Sequence, residues 1–188
     1  MAETPKRLSR FMIGCAAWLI LSHAMAGDLH VDSHPTTTRP TIKDAKADTR
    51  LQNLRRLTEQ VLIGGEPRGE EAFATLKRLG ITTVVSVDGA KPQLASAKKH
   101  GLTYVHIPIG YEGVNQHAQL SLARLVRDHK GPFYIHCHHG KHRAPAAAAV
   151  ACMAADVLNN QQAIEILRRA GTSRNYQGLW RDAVSYTH

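Results

Sequence analysis

The chain has 188 residues, enough for one domain with its own hydrophobic core, and 43% of them are apolar. Its formal net charge is +9, which suits an anionic substrate. We expect no nucleic-acid partner, because no stripe of Arg and Lys with interleaved aromatic residues is present.

Residues 1–26 have the pattern of a secretory signal peptide. A basic start containing Lys6, Arg7 and Arg10 precedes an apolar run, 11–21, that is too short for a membrane span. Residues 24–26, Ala-Met-Ala, fit a cleavage site. The pattern predicts a periplasmic or secreted protein with no stable membrane insertion after cleavage. An uncleaved membrane anchor is the alternative, and an oxidising compartment is an awkward place for a reactive thiol.

Residues 27–48 are polar and interrupted by proline, and we interpret them as a linker. We place the folded domain at 49–188. Hydrophobic periodicity there predicts five strands, at 54–57, 61–63, 81–87, 102–109 and 133–136. It also predicts helices at 70–79, 92–100, 115–130, 144–158, 162–170 and 176–186. The alternation predicts an α/β fold, with a mostly parallel central sheet of four to five strands and helices on both faces.

The stretch from His136 to Arg143 stands between an apolar strand and an alanine-rich helix. A tight loop before a helix start turns backbone N–H groups inward, and the helix dipole adds partial positive charge. Such a loop binds a phosphate and stabilises a thiolate at Cys137. Arg143 can grip two phosphate oxygens with its planar guanidinium, and Gly140 permits a positive φ.

This stretch resembles the His-Cys-x-x-Gly-x-x-Arg signature of the protein tyrosine and dual-specificity phosphatase superfamily, through His136, Cys137, Gly140 and Arg143. The order of elements from about residue 54 onwards is similar as well. The resemblance implies a dual-specificity-phosphatase-like fold, a nucleophilic Cys137 and a phosphoryl-cysteine intermediate. It also implies phosphate binding by Arg143 and the loop amides. The implied reaction requires no cofactor and no metal.

The superfamily uses an Asp as general acid, and no Asp stands at an obvious equivalent place. Glu112, in the loop after the strand at 102–109, is our candidate, because such folds carry their sites at the carboxyl ends of strands. Asp88 is the alternative. The superfamily also often has Ser or Thr directly after the arginine, whereas this chain has Ala144, which predicts slower breakdown of the intermediate.

Five loop residues are our candidates for substrate binding: His138, His139, Gly140, Lys141 and His142. Basic residues occupy the same loop in relatives that act on phosphoinositides. The partner is therefore a phosphorylated protein or a small phosphorylated molecule.

Three other interpretations stay open. Cys137 and the loop histidines could form a metal cluster, although a phosphate loop turns most side chains outward. A phosphate- or phosphopeptide-binding module with impaired catalysis would fit Ala144 and the missing Asp. A rhodanese-type sulfur-transfer enzyme also uses a loop cysteine.

Cys152 lies in the alanine-rich helix, and we expect it to pack in the core. A disulfide with Cys137 is the alternative.

Overall fold

The structure, a computed structural model, describes residues 43–44 and 50–186. The predicted signal peptide, 1–26, lies outside these residues, as does the predicted linker apart from residues 43–44. Within the described part, no helix is long and apolar enough to cross a membrane.

Six strands and six helices are present in the described residues. The strands are β1 (Lys43–Asp44), β2 (Arg55–Arg56), β3 (Val61–Gly65), β4 (Thr83–Ser86), β5 (Thr103–His106) and β6 (Phe133–Cys137). The helices are α1 (Gly69–Arg78), α2 (Leu94–Lys99), α3 (Gln116–Asp128), α4 (Arg143–Ala154), α5 (Asn160–Ala170) and α6 (Gln177–Val184). Every predicted element is found, with ends that differ by a few residues.

All six strands form one sheet in the order β1-β2-β3-β6-β4-β5. The four strands β3, β6, β4 and β5 are parallel, and β1 and β2 are added antiparallel at one edge. The predicted mostly parallel sheet is thus confirmed, with β1 as a short extra strand from within the predicted linker.

The segment 102–109 was expected as a core strand, but β5 lies at the sheet edge with Thr103 and His106 exposed.

Alternate side chains of the central strands enter two separate hydrophobic clusters. Ile63, Val85 and Ile135 belong to the cluster that contains residues of α3, α4, α5 and α6. Leu62, Val84 and Tyr134 belong to the cluster that contains residues of α1 and α2. The prediction of helices on both faces is confirmed.

Helix α4 is buried along almost its whole length, and its alanines allow neighbouring elements to approach closely. Cys152 lies within it, 2% exposed, and burial raises the pKa of its thiol to about 12. Cys137 and Cys152 are both free thiols. The expected core role of Cys152 is therefore confirmed, and the disulfide alternative is wrong.

Candidate active site

The predicted phosphate loop connects the central strand β6 to the buried helix α4. Cys137 is the last residue of β6 and is 3% exposed, while Arg143 is the first residue of α4. His142, the residue that caps α4, makes no side-chain hydrogen bond to the first turn of the helix. The first N–H groups of α4 and its positive dipole end are thus directed at this loop.

Three carbonyl oxygens of the loop accept hydrogen bonds from residues outside the loop. The oxygen of His138 accepts from the N–H of Glu66 (3.2 Å), and that of His139 accepts from Nδ2 of Asn53 (2.8 Å). The oxygen of Lys141 accepts from Oγ1 of Thr172 at 2.8 Å. Carbonyls that point away from the centre of a tight loop leave its N–H groups to face inward, as anion binding requires.

Gly140 is required at its position for two reasons. Its φ is +74°, which favours glycine, and a Cβ atom there would collide with the backbone of Gly64 and Gly65. The loop therefore lies directly against the end of β3. Any side chain at position 140 would push the two segments apart and disturb the loop.

Arg143 forms an ion pair with Asp88, which follows β4. Nη2 of Arg143 lies 3.2 Å from Oδ1 of Asp88, and both side chains are about nine-tenths buried. Nε of Arg143 and Oδ2 of Asp88 are also buried, and neither has a hydrogen-bond partner among the described residues. An unpaired buried N–H of this kind costs about 1–3 kcal/mol, so an acceptor there would be stabilising.

The loop after β5 contacts Arg143 from another side. Cζ of Arg143 lies over the ring of Tyr111, 4.7 Å from its centroid. Tyr111 in turn stacks on Tyr176, with ring centroids 4.4 Å apart. Glu112 is the next residue after Tyr111, which places the segment that carries it beside the phosphate loop.

His136 lies behind the loop and is 1% exposed. Its Nε2 atom lies 3.1 Å from the hydroxyl of Tyr104, and its ring is stacked on that of Tyr134. Burial lowers the pKa of His136 to about 4, although the nearby negative charge of Asp88 opposes this. His136 is therefore neutral at physiological pH.

The loop side chains differ in exposure. His138, His139 and Lys141 are exposed, and Nδ1 of His138 lies 3.6 Å from Oε2 of Glu66. His142 is half-buried, its Nδ1 accepts a hydrogen bond from the N–H of Ser173 (3.2 Å), and burial lowers its pKa. In the part of the chain that the structure describes, no three His, Cys, Asp or Glu side chains form a group that could hold a metal ion.

The two candidate acids have different surroundings. Glu112 is exposed, and its carboxylate is folded back against Gly110 of the same loop. Asp88 is buried and ion-paired with Arg143. Both follow parallel strands at the carboxyl edge of the sheet, where the sequence predicted a site.

Several residues near the loop were not singled out by the sequence analysis, namely Glu66, Tyr104, Tyr176 and Ser173. Glu66 directly follows β3, and its place after a parallel strand is the same signal that marks Asp88 and Glu112. Tyr104, Tyr176 and Ser173 carry no local signal, because their contacts with the loop depend on the folding of distant segments.

A family model matches residues 29–177, described as "PTP-SAK: Swiss Army Knife protein, DSP-PTPase phosphatase domain". The match begins within the segment that we interpreted as a linker. No curated protein sequence matches the chain.

The fold is similar to those of solved phosphatases. The structure of TpbA from P. aeruginosa has 19% identity and a TM-score of 0.62, and the match covers 81% of this chain and 94% of that one. The core catalytic domain of the PP-IP phosphatase SIW14 from S. cerevisiae has 19% identity and a TM-score of 0.55, with 68% and 83% covered. At such identities the likeness shows the fold alone.

The family match covers most of the chain. The chain therefore belongs to the PTP-SAK family of DSP-PTPase phosphatase domains. It is a cysteine-dependent phosphatase, a hydrolase of the protein-tyrosine-phosphatase-like type. This match favours the phosphatase interpretation over the sulfur-transfer alternative.

Proposed function

We propose that the chain hydrolyses phosphomonoesters through a phosphoryl-cysteine intermediate on Cys137, with phosphate bound by Arg143 and the loop amides. The observation that carries this proposal is the buried Nε of Arg143, which has no acceptor among the described residues. A phosphate oxygen in the loop would supply that acceptor while Nη2 keeps its contact with Asp88.

The proposed reaction has two steps. The thiolate of Cys137 attacks phosphorus, the bond between phosphorus and the leaving oxygen breaks, and the leaving oxygen takes a proton from an acid. Water then attacks the phosphoryl-cysteine, which releases inorganic phosphate and restores the thiolate. We assign the acid to Glu112, and Asp88 is the alternative.

Two substrate classes fit the proposed site. A variant of TpbA has been solved in complex with phosphotyrosine, and SIW14 is a PP-IP phosphatase. A tyrosine or dual-specificity protein phosphatase would use the loop, including Gly140, for one phosphate. A small, highly phosphorylated molecule would also engage the exposed His138, His139 and Lys141 at the loop surface. His142 is less available to such a substrate, since its Nδ1 already accepts a hydrogen bond from the N–H of Ser173.

We also propose export to the periplasm or outside the cell, on the strength of the signal-peptide pattern in 1–26. Cell fractionation of the full chain, beside a chain that lacks residues 1–26, tests this. A cytoplasmic location of the full chain would contradict it.

A phosphate-binding module with impaired catalysis is the second candidate function. Two observations favour it: Ala144 is fully buried and has no hydroxyl, and the Glu112 carboxylate is folded against its own loop. Such a module would bind inorganic phosphate without turning over a phosphomonoester.

The deciding experiment is hydrolysis of an activated aryl phosphate by the wild-type chain and by Cys137→Ser, with a reductant and a chelator in both assays. Turnover by the wild type and none by the variant supports the cysteine mechanism without a metal. Turnover by Cys137→Ser would contradict it. No turnover by either protein, with phosphate still bound, would favour the binding module.

A further inference from the structure

The guanidinium of Arg143 is held by two different segments. Asp88, after β4, binds one end through the ion pair with Nη2. Tyr111, after β5, covers the group with its ring, 4.7 Å from Cζ. A cation over an aromatic face is attracted by the ring quadrupole, and this attraction opposes movement of the guanidinium away from the ring.

Tyr111 needs support of its own to hold Arg143. It is 39% exposed and lies in a loop between Gly110 and Gly113, so its own segment does not fix its ring. The support comes from Tyr176, whose ring stacks on it at 4.4 Å and 27°. Offset stacking of this kind restricts both rings.

Tyr176 is fixed by the turn between α5 and α6. Its N–H donates to the carbonyl of Ser173 (3.2 Å), which also accepts from Nε1 of Trp180 at 3.0 Å. The N–H of Ser173 donates to Nδ1 of His142 in the phosphate loop. The turn therefore contacts the phosphate loop at His142 and the Tyr111 ring through Tyr176.

Helix α6 also contacts the backbone of the Tyr111 loop. The carbonyl of Glu112 lies so close to Gly178 that a Cβ atom at this position would collide with it. The carboxylate of Asp182 lies against Gly113 in the same way. The loop that carries Tyr111 is thus contacted by α6 at Glu112 and at Gly113.

We infer that Tyr111, supported by Tyr176, is a positioning residue that keeps the guanidinium of Arg143 in the plane that binds phosphate. This inference rests on the proposed function. Two-pronged binding requires both N–H directions to be correct at once, so a guanidinium that can rotate binds an oxyanion less well. Tyr111 makes no contact with the phosphate in this proposal and acts through Arg143.

The test replaces Tyr111 by Leu, which removes the ring face, and by Phe, which keeps it. Binding of inorganic tungstate is measured by calorimetry, so that the result does not depend on turnover. We expect Tyr111→Leu to weaken tungstate binding about 3- to 30-fold, the range that loss of one partly buried cation–π contact gives. Tyr111→Phe should bind within about twofold of the wild type, since cation–π attraction needs only the ring.

Two further variants separate positioning from general stability. Tyr176→Leu should also weaken tungstate binding, but by less. In this variant Tyr111 keeps its contact with Arg143 and loses the ring that supports it. Tyr186→Leu makes the same chemical change beyond the other end of α6 and should leave tungstate binding unchanged. Kinetics on an aryl phosphate should show a raised KM in Tyr111→Leu.

Three results would overturn the inference. One is tungstate binding by Tyr111→Leu within about twofold of the wild type, which is a smaller loss than removal of a cation–π contact should give. The second is an equal loss in Tyr111→Phe, and the third is an equal loss in Tyr186→Leu. Absence of turnover in the wild type, with normal tungstate binding, would contradict only the proposed function.

Discussion

Asp88 and Arg143 form a buried ion pair in which one atom of each side chain is left without a partner. Oδ1 of Asp88 lies 3.2 Å from Nη2 of Arg143, while Oδ2 and Nε have no hydrogen-bond partner among the described residues. Breaking a buried pair leaves one charge uncompensated, whereas an oxyanion beside the arginine would compensate it.

Replacement of Asp88 by Ala should therefore destabilise the protein by about 3–5 kcal/mol, the usual cost of removing one partner of a buried pair. Addition of inorganic phosphate should recover part of this loss, because its oxygens can replace the carboxylate. Urea unfolding with and without phosphate measures both effects. Asp128→Ala, at an exposed pair with Arg127, is the control and should change stability little. An Asp88→Ala protein as stable as the wild type without phosphate would contradict the prediction.

The identity of the acid can be tested with Glu112→Gln and Asp88→Asn, which remove the proton but keep the shape of the side chain. The variant that lacks the true acid should lose about 100-fold in kcat/KM on phosphates with poor leaving groups. It should lose little on activated aryl phosphates, which scarcely need the proton. Plots of log kcat/KM, which reports the first step, against leaving-group pKa for both variants check this. We expect the steeper slope for Glu112→Gln, and an equal loss on all substrates would argue against Glu112.

Restoring a hydroxyl after the arginine should speed the second step. In Ala144→Ser, a hydrogen bond to the departing thiolate would raise the rate of phosphoryl-cysteine breakdown about tenfold, as expected for about 1.4 kcal/mol. Rapid-mixing kinetics with an activated aryl phosphate measure this, since a burst of product indicates slow breakdown. The burst should be present in the wild type and smaller in Ala144→Ser. A wild type without a burst would show that breakdown is not the slow step.

The buried His136 predicts a loss of stability in acid. Burial lowers its folded-state pKa to about 4, whereas an unfolded histidine titrates at about 6.5. Above pH 6.5 neither state binds the proton, and between pH 6.5 and pH 4 only the unfolded state does. As the pH falls through this window, the free energy of unfolding should therefore decrease by about 1.4 kcal/mol per pH unit, and it should level off below pH 4. The total for His136 is about 3 kcal/mol.

Urea unfolding of the wild type and His136→Phe across pH 4 to 7 isolates this contribution. The phenyl ring does not titrate, so the variant should show a shallower slope. His117→Gln, on the exposed side of α3, controls for loss of a surface histidine. Identical slopes in the wild type and His136→Phe would contradict the prediction.

The strand, loop and helix around Cys137 could be predicted because their signal is local. The spacing from Cys137 to Arg143, the glycine at 140 and the flanking strand and helix are all contained in one short stretch. The edge position of β5 could not be predicted, because a short apolar run looks the same in a central and an edge strand. The pairing of β1 with β2 was missed as well, since a strand of two residues has no periodicity.

The sequence by itself determined the α/β fold, the loop that joins β6 to α4 and the chemistry that Cys137 and Arg143 suggest, since each depends on neighbouring residues. Only the tertiary structure decided which distant side chains orient Arg143. The order β3-β6-β4-β5 places β3 and β4 on either side of β6, and the turn between α5 and α6 brings Tyr176 against Tyr111. Asp88, Tyr111 and Tyr176 are separated in the chain, and only the packing of strands and helices brings them to one guanidinium.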